Sequence, residues 1–197
     1  MYNNLQNNKG DTMIYFTSDL HFGHQNVISL CGRPFNDLEE MTNILVENFN
    51  KVVHKDDIVY ILGDLSFRIS SEKAEQIISM LKGRKILVIG NHDKQYNPYL
   101  FEELCSYKEI HYNKQRICLM HYPMLEWKNS RHGSIHLHGH IHSKTNQHYD
   151  IAGFAGKNYN IDNKELGIRR YDVGVDANDF KPVSIKHILE FMEIEDI

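Results

Sequence analysis

Acidic, amide and imidazole side chains recur in short runs, each of which follows an apolar, β-rich stretch of the chain. These runs are Asp19-Leu20-His21, Gly63-Asp64, Gly90-Asn91-His92-Asp93, His121 and Gly139-His140-Ile141-His142. Mixed imidazole and carboxylate ligands suit first-row divalent metals, and a carboxylate can bridge two such ions. Two ions about 3.5–4 Å apart are the usual arrangement for hydrolysing phosphate esters. The runs therefore predict a metal centre if the fold brings them together.

The apolar stretches before these runs must be neighbouring strands for the polar side chains to meet. Strands are predicted over Met13 to Ser18, Ile58 to Leu62 and Lys85 to Ile89, with amphipathic helices between them over Leu38 to Val53 and Ser71 to Leu81. Continuous apolar strands that alternate with helices indicate a parallel sheet covered by helices. Ligands collect just outside the carboxyl ends of such strands, so we expect the polar runs to converge there.

The second half of the chain is predicted to be richer in strands. Its predicted elements are four strands and a closing helix, over 106–112, 116–120, 134–138, 170–175 and 183–192. A Gly/Asn-rich stretch over 143–167 has weak pattern and follows the last polar run directly. Long stretches without a hydrophobic pattern are either functional or disordered. We predict a flap that helps to select the substrate, and an exposed loop without a role is the alternative.

The composition excludes several classes of protein. With 197 residues, 41% hydrophobic and 24% charged, the chain can bury the core of one globular domain. Its net charge of −4 gives no overall basic footprint for coating long nucleic acid. No apolar run approaches the roughly 20 residues of a membrane span, and the polar N-terminus is unlike a signal peptide. We predict a flexible tail over 1–12, a single domain over 13–197 and a cytoplasmic location.

The polar runs, taken in order, resemble the motifs of the calcineurin-like metallophosphoesterase superfamily, and the stretch from His24 through Phe35 resembles a bacterial and phage branch of it with small single-domain members. The superfamily motifs D-x-H, G-D, G-N-H-[DE], H and G-H-x-H all occur between Asp19 and His142. Met120 stands before His121 where the superfamily often has glycine, but the histidine itself is kept. The resemblance implies a mixed α/β (α+β) fold, a two-sheet β-sandwich flanked by helices in four αββα layers.

The resemblance also implies a role for each motif residue. One divalent ion is expected on Asp19, His21, Asp64 and His142, and the other on Asp64, Asn91, His121 and His140. Asp64 then bridges the two ions, for which Mn²⁺ is the favoured metal and Zn²⁺, Fe²⁺ and Ni²⁺ are alternatives. His92 is expected to stabilise or protonate the leaving oxygen, with Asp93 orienting its ring.

Two further residues are predicted to contact the substrate. His24 follows His21 closely, in a segment predicted to begin a helix. Arg33 lies in a stretch that resembles the bacterial and phage branch, and a guanidinium matches phosphate oxygens in a bidentate way. A solvated surface arginine is the alternative for Arg33, and Arg68 is a weaker candidate of the same kind. The aromatic residues that follow His121 could stack on a nucleobase or simply pack; they are Tyr122 and Trp127.

These inferences predict a dinuclear-metal-dependent hydrolase of phosphate esters, either a phosphodiesterase or a phosphatase. A hydroxide that bridges both ions would attack phosphorus in line. The expected substrate is a small phosphorylated molecule, nucleotide-like in the favoured case. One alternative is a nuclease acting on DNA or RNA, which commonly needs a basic groove. The other is a non-catalytic metal-binding interaction module, which the complete set of motifs disfavours. The oligomeric state is not predicted.

Overall fold

A computed structural model of the protein describes residues 4–5, 12–93, 96–143 and 159–195. Strands and helices alternate in the first half of the chain, and strands predominate in the second half. In chain order the elements are β1 (Asn4–Leu5), β2 (Ile14–Thr17), α1 (Gln25–Leu30), α2 (Leu38–Val52), β3 (Ile58–Ile61), α3 (Ser71–Met80), β4 (Arg84–Val88), β5 (Glu103–Cys105), β6 (Lys108–Tyr112), β7 (Gln115–Leu119), β8 (Ile135–His138), α4 (Tyr159–Glu165), β9 (Arg170–Asp172), β10 (Val183–Ser184) and α5 (Ile185–Phe191).

The first sheet has the strand order β10-β2-β3-β4-β5. The strands from β2 to β5 run parallel, and β10 runs antiparallel to β2. Val59 and Ile61 of β3 pack against the helices, whereas Ile58 and Tyr60 face the second sheet. The first sheet is therefore buried on both faces, as its continuous apolar strands predicted.

The second sheet has the order β1-β6-β7-β8-β9, with β6 antiparallel to β7 and the other neighbours parallel. Ile135 and Leu137 of β8 join the core between the two sheets. The alternate residues His136 and His138 lie on the opposite face with their rings 5.2 Å apart, and His138 contacts Tyr159 of α4. These two histidines therefore point away from the core between the sheets.

The helices of the first half form the outer layer over the first sheet. Asp37, directly before the predicted helix, caps α2 by accepting a hydrogen bond from the backbone N–H of Glu40. Helix α3 begins at Ser71, where the predicted helix begins, and is capped by Ser70, since the Ser70 hydroxyl accepts the N–H of Lys73. The two sheets with their flanking helices confirm the predicted fold class.

Some short elements were not predicted. Strands β1, β5 and β10 contain only two or three residues, too few to show a periodic pattern. Asn4–Leu5 lies inside the predicted flexible tail and pairs with β6. Helix α4 occupies the end of the stretch predicted to be a long loop, and 144–158 lie outside the described residues. Within the described part of the chain, none of the helices has the length and apolar character to cross a bilayer.

Candidate metal centre

The predicted polar runs meet at one edge of the two sheets. They follow β2, β3, β4, β7 and β8 at the carboxyl end of each strand. Backbone hydrogen bonds align neighbouring loops, because the N–H of Asp19 donates to the carbonyl of Gly63 and the N–H of Gly139 donates to that of His121, each at 3.0 Å. The loops that carry the motifs are thus held side by side by their own backbone.

The first ligand group consists of Asp19, His21 and His142, whose ligand atoms lie within 4.8 Å of one another. The two imidazole Nε2 atoms are 3.2 Å apart. Oδ1 of Asp19 lies 3.9 Å from Nε2 of His21 and 3.7 Å from Nε2 of His142. Three ligand atoms, carried by loops that follow strands of two different sheets, therefore face one point.

The hydrogen bonds of Asp19 indicate that a cation fits between these three ligand atoms. Its Oδ2 accepts hydrogen bonds from the Ser18 hydroxyl at 2.6 Å and from the N–H of His140 at 2.9 Å. Its buried Oδ1 has no hydrogen-bond partner among the described residues. A buried carboxylate oxygen without a donor is costly unless a cation meets it. Two imidazole nitrogens and this oxygen together fit a divalent first-row ion.

The second ligand group consists of Asp64, His121 and His140, whose ligand atoms also lie within 4.8 Å of one another. Nε2 of His121 lies 2.9 Å from Oδ1 of Asn91, so the predicted asparagine ligand is at the same place. Nδ1 of His121 donates to the carbonyl of Leu62 at 2.7 Å. This bond directs Nε2 of His121 toward Asn91 and Asp64 as the atom that could bind a metal.

Asp64 lies between the two ligand groups. Its Oδ2 is 3.6 Å from Nε2 of His21 and 3.5 Å from Nε2 of His121. Its Oδ1 accepts the backbone N–H of His92 at 2.8 Å. One oxygen of a single carboxylate thus lies beside an imidazole of each group, which is the position a bridging ligand needs.

Burial and neighbouring charge set the protonation of these groups. Burial, reinforced by the charge of His142, lowers the pKa of His21 to about 2. Burial opposes ionisation of Asp64, but its hydrogen bond with His121 outweighs burial and lowers the pKa to about 2. Burial also opposes charge on His121 and His142, yet nearby carboxylates raise the pKa of both. The site attracts positive charge, and a metal would replace protons there.

The ligand loops use backbone conformations that bring successive side chains to one point. Left-handed φ angles of 57°, 51°, 54°, 74° and 49° occur at Asp19, His21, Asp64, His140 and His142. Gly139 allows the loops to approach, because a Cβ there would lie 2.1 Å from the Ser18 hydroxyl and 2.4 Å from Oδ2 of Asp19. The glycine of the last motif is thus required by close packing against the first motif.

His92 stands beside the ligand groups with a side chain that is 40% exposed, and its Nε2 lies 4.0 Å from Oδ2 of Asp64. Asp93 was predicted to orient the His92 ring. Its carboxylate instead accepts hydrogen bonds, at 2.8 to 3.0 Å, from the backbone N–H groups of Gly90, Asp64 and Leu65 and from the hydroxyl of Tyr96. Asp93 therefore ties the loop after β3 to the loop after β4, and His92 is held through its own backbone.

Arg33 does not face a substrate, contrary to the prediction. Its side chain is buried, with Nε and Nη2 bonded to the two carboxylate oxygens of Asp176 at 2.9 and 2.8 Å. Nη1 donates to the carbonyl of Leu20 at 3.2 Å, and Nη2 also donates to that of Asp19 at 2.7 Å. The guanidinium is occupied inside the protein because Asp176, which sequence reasoning missed, lies beside it.

An aromatic wall borders the first ligand group. The His24 ring lies 5.2 Å from the His21 ring and 4.1 Å from the ring of Phe67, so His24 is near the site, and its contact with a substrate stays a prediction. Phe67 also contacts the His92 ring at 4.8 Å, and Cζ of Arg68 lies 5.0 Å over its face. Sequence reasoning missed Phe67, because a single phenylalanine in a loop carries no chemical signal.

Tyr122 borders the second ligand group. Its side chain is exposed, and its ring lies 4.7 Å from the His140 ring and 5.1 Å from the His121 ring. Trp127 instead donates from Nε1 to the carbonyl of Ser134 at 3.3 Å and packs against His136. Of the two aromatic residues after His121, Tyr122 stands at the site and Trp127 packs in the fold.

The predicted flap falls largely on 144–158, outside the described residues, and stays a prediction. The described residues on either side of it both bind Asp172. The Ser143 hydroxyl donates to Oδ2 of Asp172 at 2.6 Å, and the Asn160 side chain exchanges two hydrogen bonds with the Asp172 backbone. Both flanks of the segment are therefore fixed close to the last motif.

Comparison with known proteins gives matches over most of the chain. A sequence model of the family described as calcineurin-like phosphoesterase matches residues 12–175. An uncharacterized protein of Methanocaldococcus jannaschii is 35% identical over 181 residues, which are 91% of each chain. The Gene 66 protein of Mycobacterium phage L5 is 31% identical over 160 residues, covering 66% of this chain and 77% of the phage protein. A crystal structure of a protein of unknown function from Aquifex aeolicus aligns with a TM-score of 0.68 at 29% identity, covering 90% of this chain and 98% of that one.

The family match starts just before β2 and ends just after β9, so it contains every polar run that meets at the sheet edge. Strands β2 to β9, helices α1 to α4 and the ligand groups after β2, β3, β7 and β8 all lie within that span. The chain belongs to the calcineurin-like phosphoesterase family.

Proposed function

We propose that the protein hydrolyses phosphate esters with two divalent ions, one in each ligand group. Family membership supports metal-dependent phosphoester hydrolysis. The observation that carries the two-ion proposal is the place of Asp64, whose Oδ2 lies 3.6 Å from Nε2 of His21 and 3.5 Å from Nε2 of His121. A carboxylate between two imidazole groups is suited to bridging a pair of ions.

This geometry supports an assignment of the residues that would hold each ion. The first ion would be held by Asp19, His21, Asp64 and His142, and the second by Asp64, Asn91, His121 and His140. When bound, such ions lower the pKa of water and neutralise phosphate oxygens. Mn²⁺ is the proposed metal, and Zn²⁺, Fe²⁺ and Ni²⁺ suit the same mixture of oxygen and imidazole ligands.

The proposed role of His92 is to act on the leaving oxygen. Its backbone N–H is fixed by Asp64, while its ring is partly exposed beside the bridging position. A histidine ring in such a place can donate a proton to a departing alkoxide. Asp93 supports this arrangement indirectly, because it fixes the backbone of the loop that carries His92.

The proposed substrate is a small nucleotide-like phosphate ester, either a diester or a monoester. Aromatic groups stand on both sides of the ligand groups, with the half-buried Phe67 next to His92 and the exposed Tyr122 next to His140. Arg68 is exposed over the face of Phe67, so it could meet an additional negative charge on the substrate. Aromatic faces stack on bases without a strict sequence preference.

A nuclease acting on long DNA or RNA finds less support. The basic side chains that line one shared cavity lie where β7, β8 and β9 begin; they are His111, Lys114, Arg116, His132 and Arg169. The ligand groups follow the other ends of these parallel strands. This basic cavity is therefore remote from the proposed chemistry and does not form a groove leading to it.

The test is reconstitution of the metal-free protein. Elemental analysis should find two Mn²⁺ per chain, and the loaded protein should hydrolyse bis-p-nitrophenyl phosphate or p-nitrophenyl phosphate. Cyclic nucleotides, mononucleotides and short oligonucleotides then define the substrate class. A protein that binds two ions of Mn²⁺, Zn²⁺, Fe²⁺ or Ni²⁺ and hydrolyses none of these esters would contradict the proposal.

A further inference from the structure

A buried ion pair lies directly behind the first ligand group. Arg33 binds both carboxylate oxygens of Asp176, and Oδ2 of Asp176 lies 2.8 Å from Nδ1 of His142. The side chains of Arg33 and Asp176 are 0% and 1% exposed. A continuous set of hydrogen bonds therefore runs from the interior of the protein to the nitrogen of His142 that faces away from Asp19.

The second ligand group is supported in a different way. Nδ1 of His121 donates to the neutral carbonyl of Leu62, whereas Nδ1 of His142 faces a carboxylate. A carboxylate behind a metal-binding histidine fixes its tautomer and raises its basicity. A neutral carbonyl also fixes the tautomer, but without a full negative charge. The two ligand groups thus differ in the charge that stands behind one of their histidines.

Arg33 adds a second connection to the first group. Its guanidinium donates to the carbonyls of Asp19 and Leu20, which belong to the first motif. Because the same guanidinium binds Asp176, it links the first motif to the carboxylate that contacts His142 of the last motif. A buried ion pair contributes little net stability, because the cost of removing two charges from water offsets their attraction. The position of the pair, at the junction of two motifs, points to a role in placing ligands.

Cys31, His142 and Asp176 also have potential ligand atoms within 4.8 Å of one another. A third ion at this place is disfavoured, because the guanidinium of Arg33 already occupies both oxygens of Asp176 with positive charge. The cluster is therefore better explained as support for His142 than as a separate metal site.

We propose that Arg33 and Asp176 are positioning residues for the first ligand group. They hold His142 with its Nε2 toward Asp19 and His21, so the affinity of this group for a divalent ion depends on them. The affinity of the second ligand group for a divalent ion does not depend on Arg33 and Asp176. This inference rests on the proposed function in one respect, since it takes divalent ions as the ligands of both groups.

The decisive variant is Asp176→Asn, which keeps the size of the side chain and removes its charge. The amide can turn its NH₂ toward His142 and so favour the tautomer that carries a proton on Nε2, which cannot bind a metal. Metal-free protein is titrated with Mn²⁺ alone by equilibrium dialysis and elemental analysis. Loss of a residue behind a metal ligand lowers affinity about 10–100-fold. We expect that loss at one site and an unchanged affinity at the other.

Arg33→Lys serves as the second variant if Asp176→Asn fails to fold. Lysine keeps the positive charge but cannot bind two carboxylate oxygens and two carbonyls in one plane. It should weaken the same single site. Asp57→Asn is the matched control, because Asp57 is also a buried carboxylate and accepts the N–H groups of Met13 and His54 at the other end of β3. This control should leave both Mn²⁺ affinities unchanged.

A double variant tests whether Asp176 acts through His142. In a His142→Ala background, Asp176→Asn should cause no further loss of Mn²⁺ affinity; a further loss equal to that in the wild-type background would overturn the inference. Two wild-type affinities retained in Asp176→Asn, or an equal loss at both sites, would also overturn it and leave the proposed function standing. A wild-type protein that binds no divalent ion would instead overturn the proposed function, and this inference with it.

Discussion

Removing the His92 side chain should isolate its chemical contribution, because little of the structure depends on the ring. The backbone N–H of His92 binds Oδ1 of Asp64 at 2.8 Å and remains in His92→Ala. The ring is 40% exposed and contacts Phe67 at 4.8 Å, so its truncation leaves no buried cavity. We expect a change in the free energy of unfolding of about 0.5 kcal/mol or less, and two bound ions.

The effect on rate should depend on the leaving group. Nε2 of His92 lies 4.0 Å from Oδ2 of Asp64, which places the ring within reach of an ester bound at the bridging position. A general acid contributes about 10²–10⁴-fold in rate, equivalent to about 3–5 kcal/mol of barrier. An alkoxide needs that proton, whereas p-nitrophenolate is already a good leaving group. His92→Ala should therefore lose the full factor on an alkyl ester and about tenfold or less on a p-nitrophenyl ester.

The assay compares kcat for the Mn²⁺-loaded variant and wild type on both esters, with metal content measured on the same samples. His54→Ala is the matched control, because the His54 side chain is 76% exposed and lies before β3, away from the ligand groups. It should leave both rates unchanged. An equal loss on the two esters would refute proton donation and show that His92 positions the phosphate. An unchanged rate on both would remove His92 from the mechanism.

Three other variants test separate parts of the site. Asp64→Asn should reduce the binding of both ions, whereas Asn91→Ala should reduce only one; two ions per chain in the Asp64 variant, by elemental analysis, would contradict bridging. Gly139→Ala places a Cβ 2.4 Å from Oδ2 of Asp19 and should destabilise the protein by about 1–3 kcal/mol in urea unfolding, with weaker binding of one Mn²⁺. Tyr122→Ala should raise KM about 5–150-fold for a nucleotide ester and leave KM for an alkyl phosphate unchanged, because stacking on a base contributes about 1–3 kcal/mol; equal effects on both would exclude stacking.

The fold could be predicted where the pattern of the chain is long enough to show its period. The apolar run of β3 and the amphipathic pattern and Asp37 cap of α2 identify their elements within one or two residues. Strands β1, β5 and β10 escape prediction because they are formed by pairing with a longer neighbour rather than by their own residues. Helix α4 escapes because polar residues dominate its seven positions.

The metal ligands of the candidate site could be predicted because each one is a carboxylate, amide or imidazole side chain in a short motif of neighbouring residues. Asp64 beside Gly63, or His140 and His142 around one isoleucine, can be recognised locally. Asp176 and Arg33 cannot, because they are 143 residues apart and only the packed fold makes them partners. Arg33 was therefore predicted to bind a phosphate, although its guanidinium is bound to an internal carboxylate.

The left-handed backbone of the ligand loops has a consequence for protein engineering. Asp19, Asp64 and His140 hold φ angles of 57°, 54° and 74°, which cost a residue with a Cβ about 1–2 kcal/mol each. Glycine adopts these angles without that cost. A redesign that selects only for a higher melting temperature would therefore favour glycine at the positions where the metal ligands stand, and would trade activity for stability there first. Thermostable variants of this chain should be sought with the ligand loops held constant.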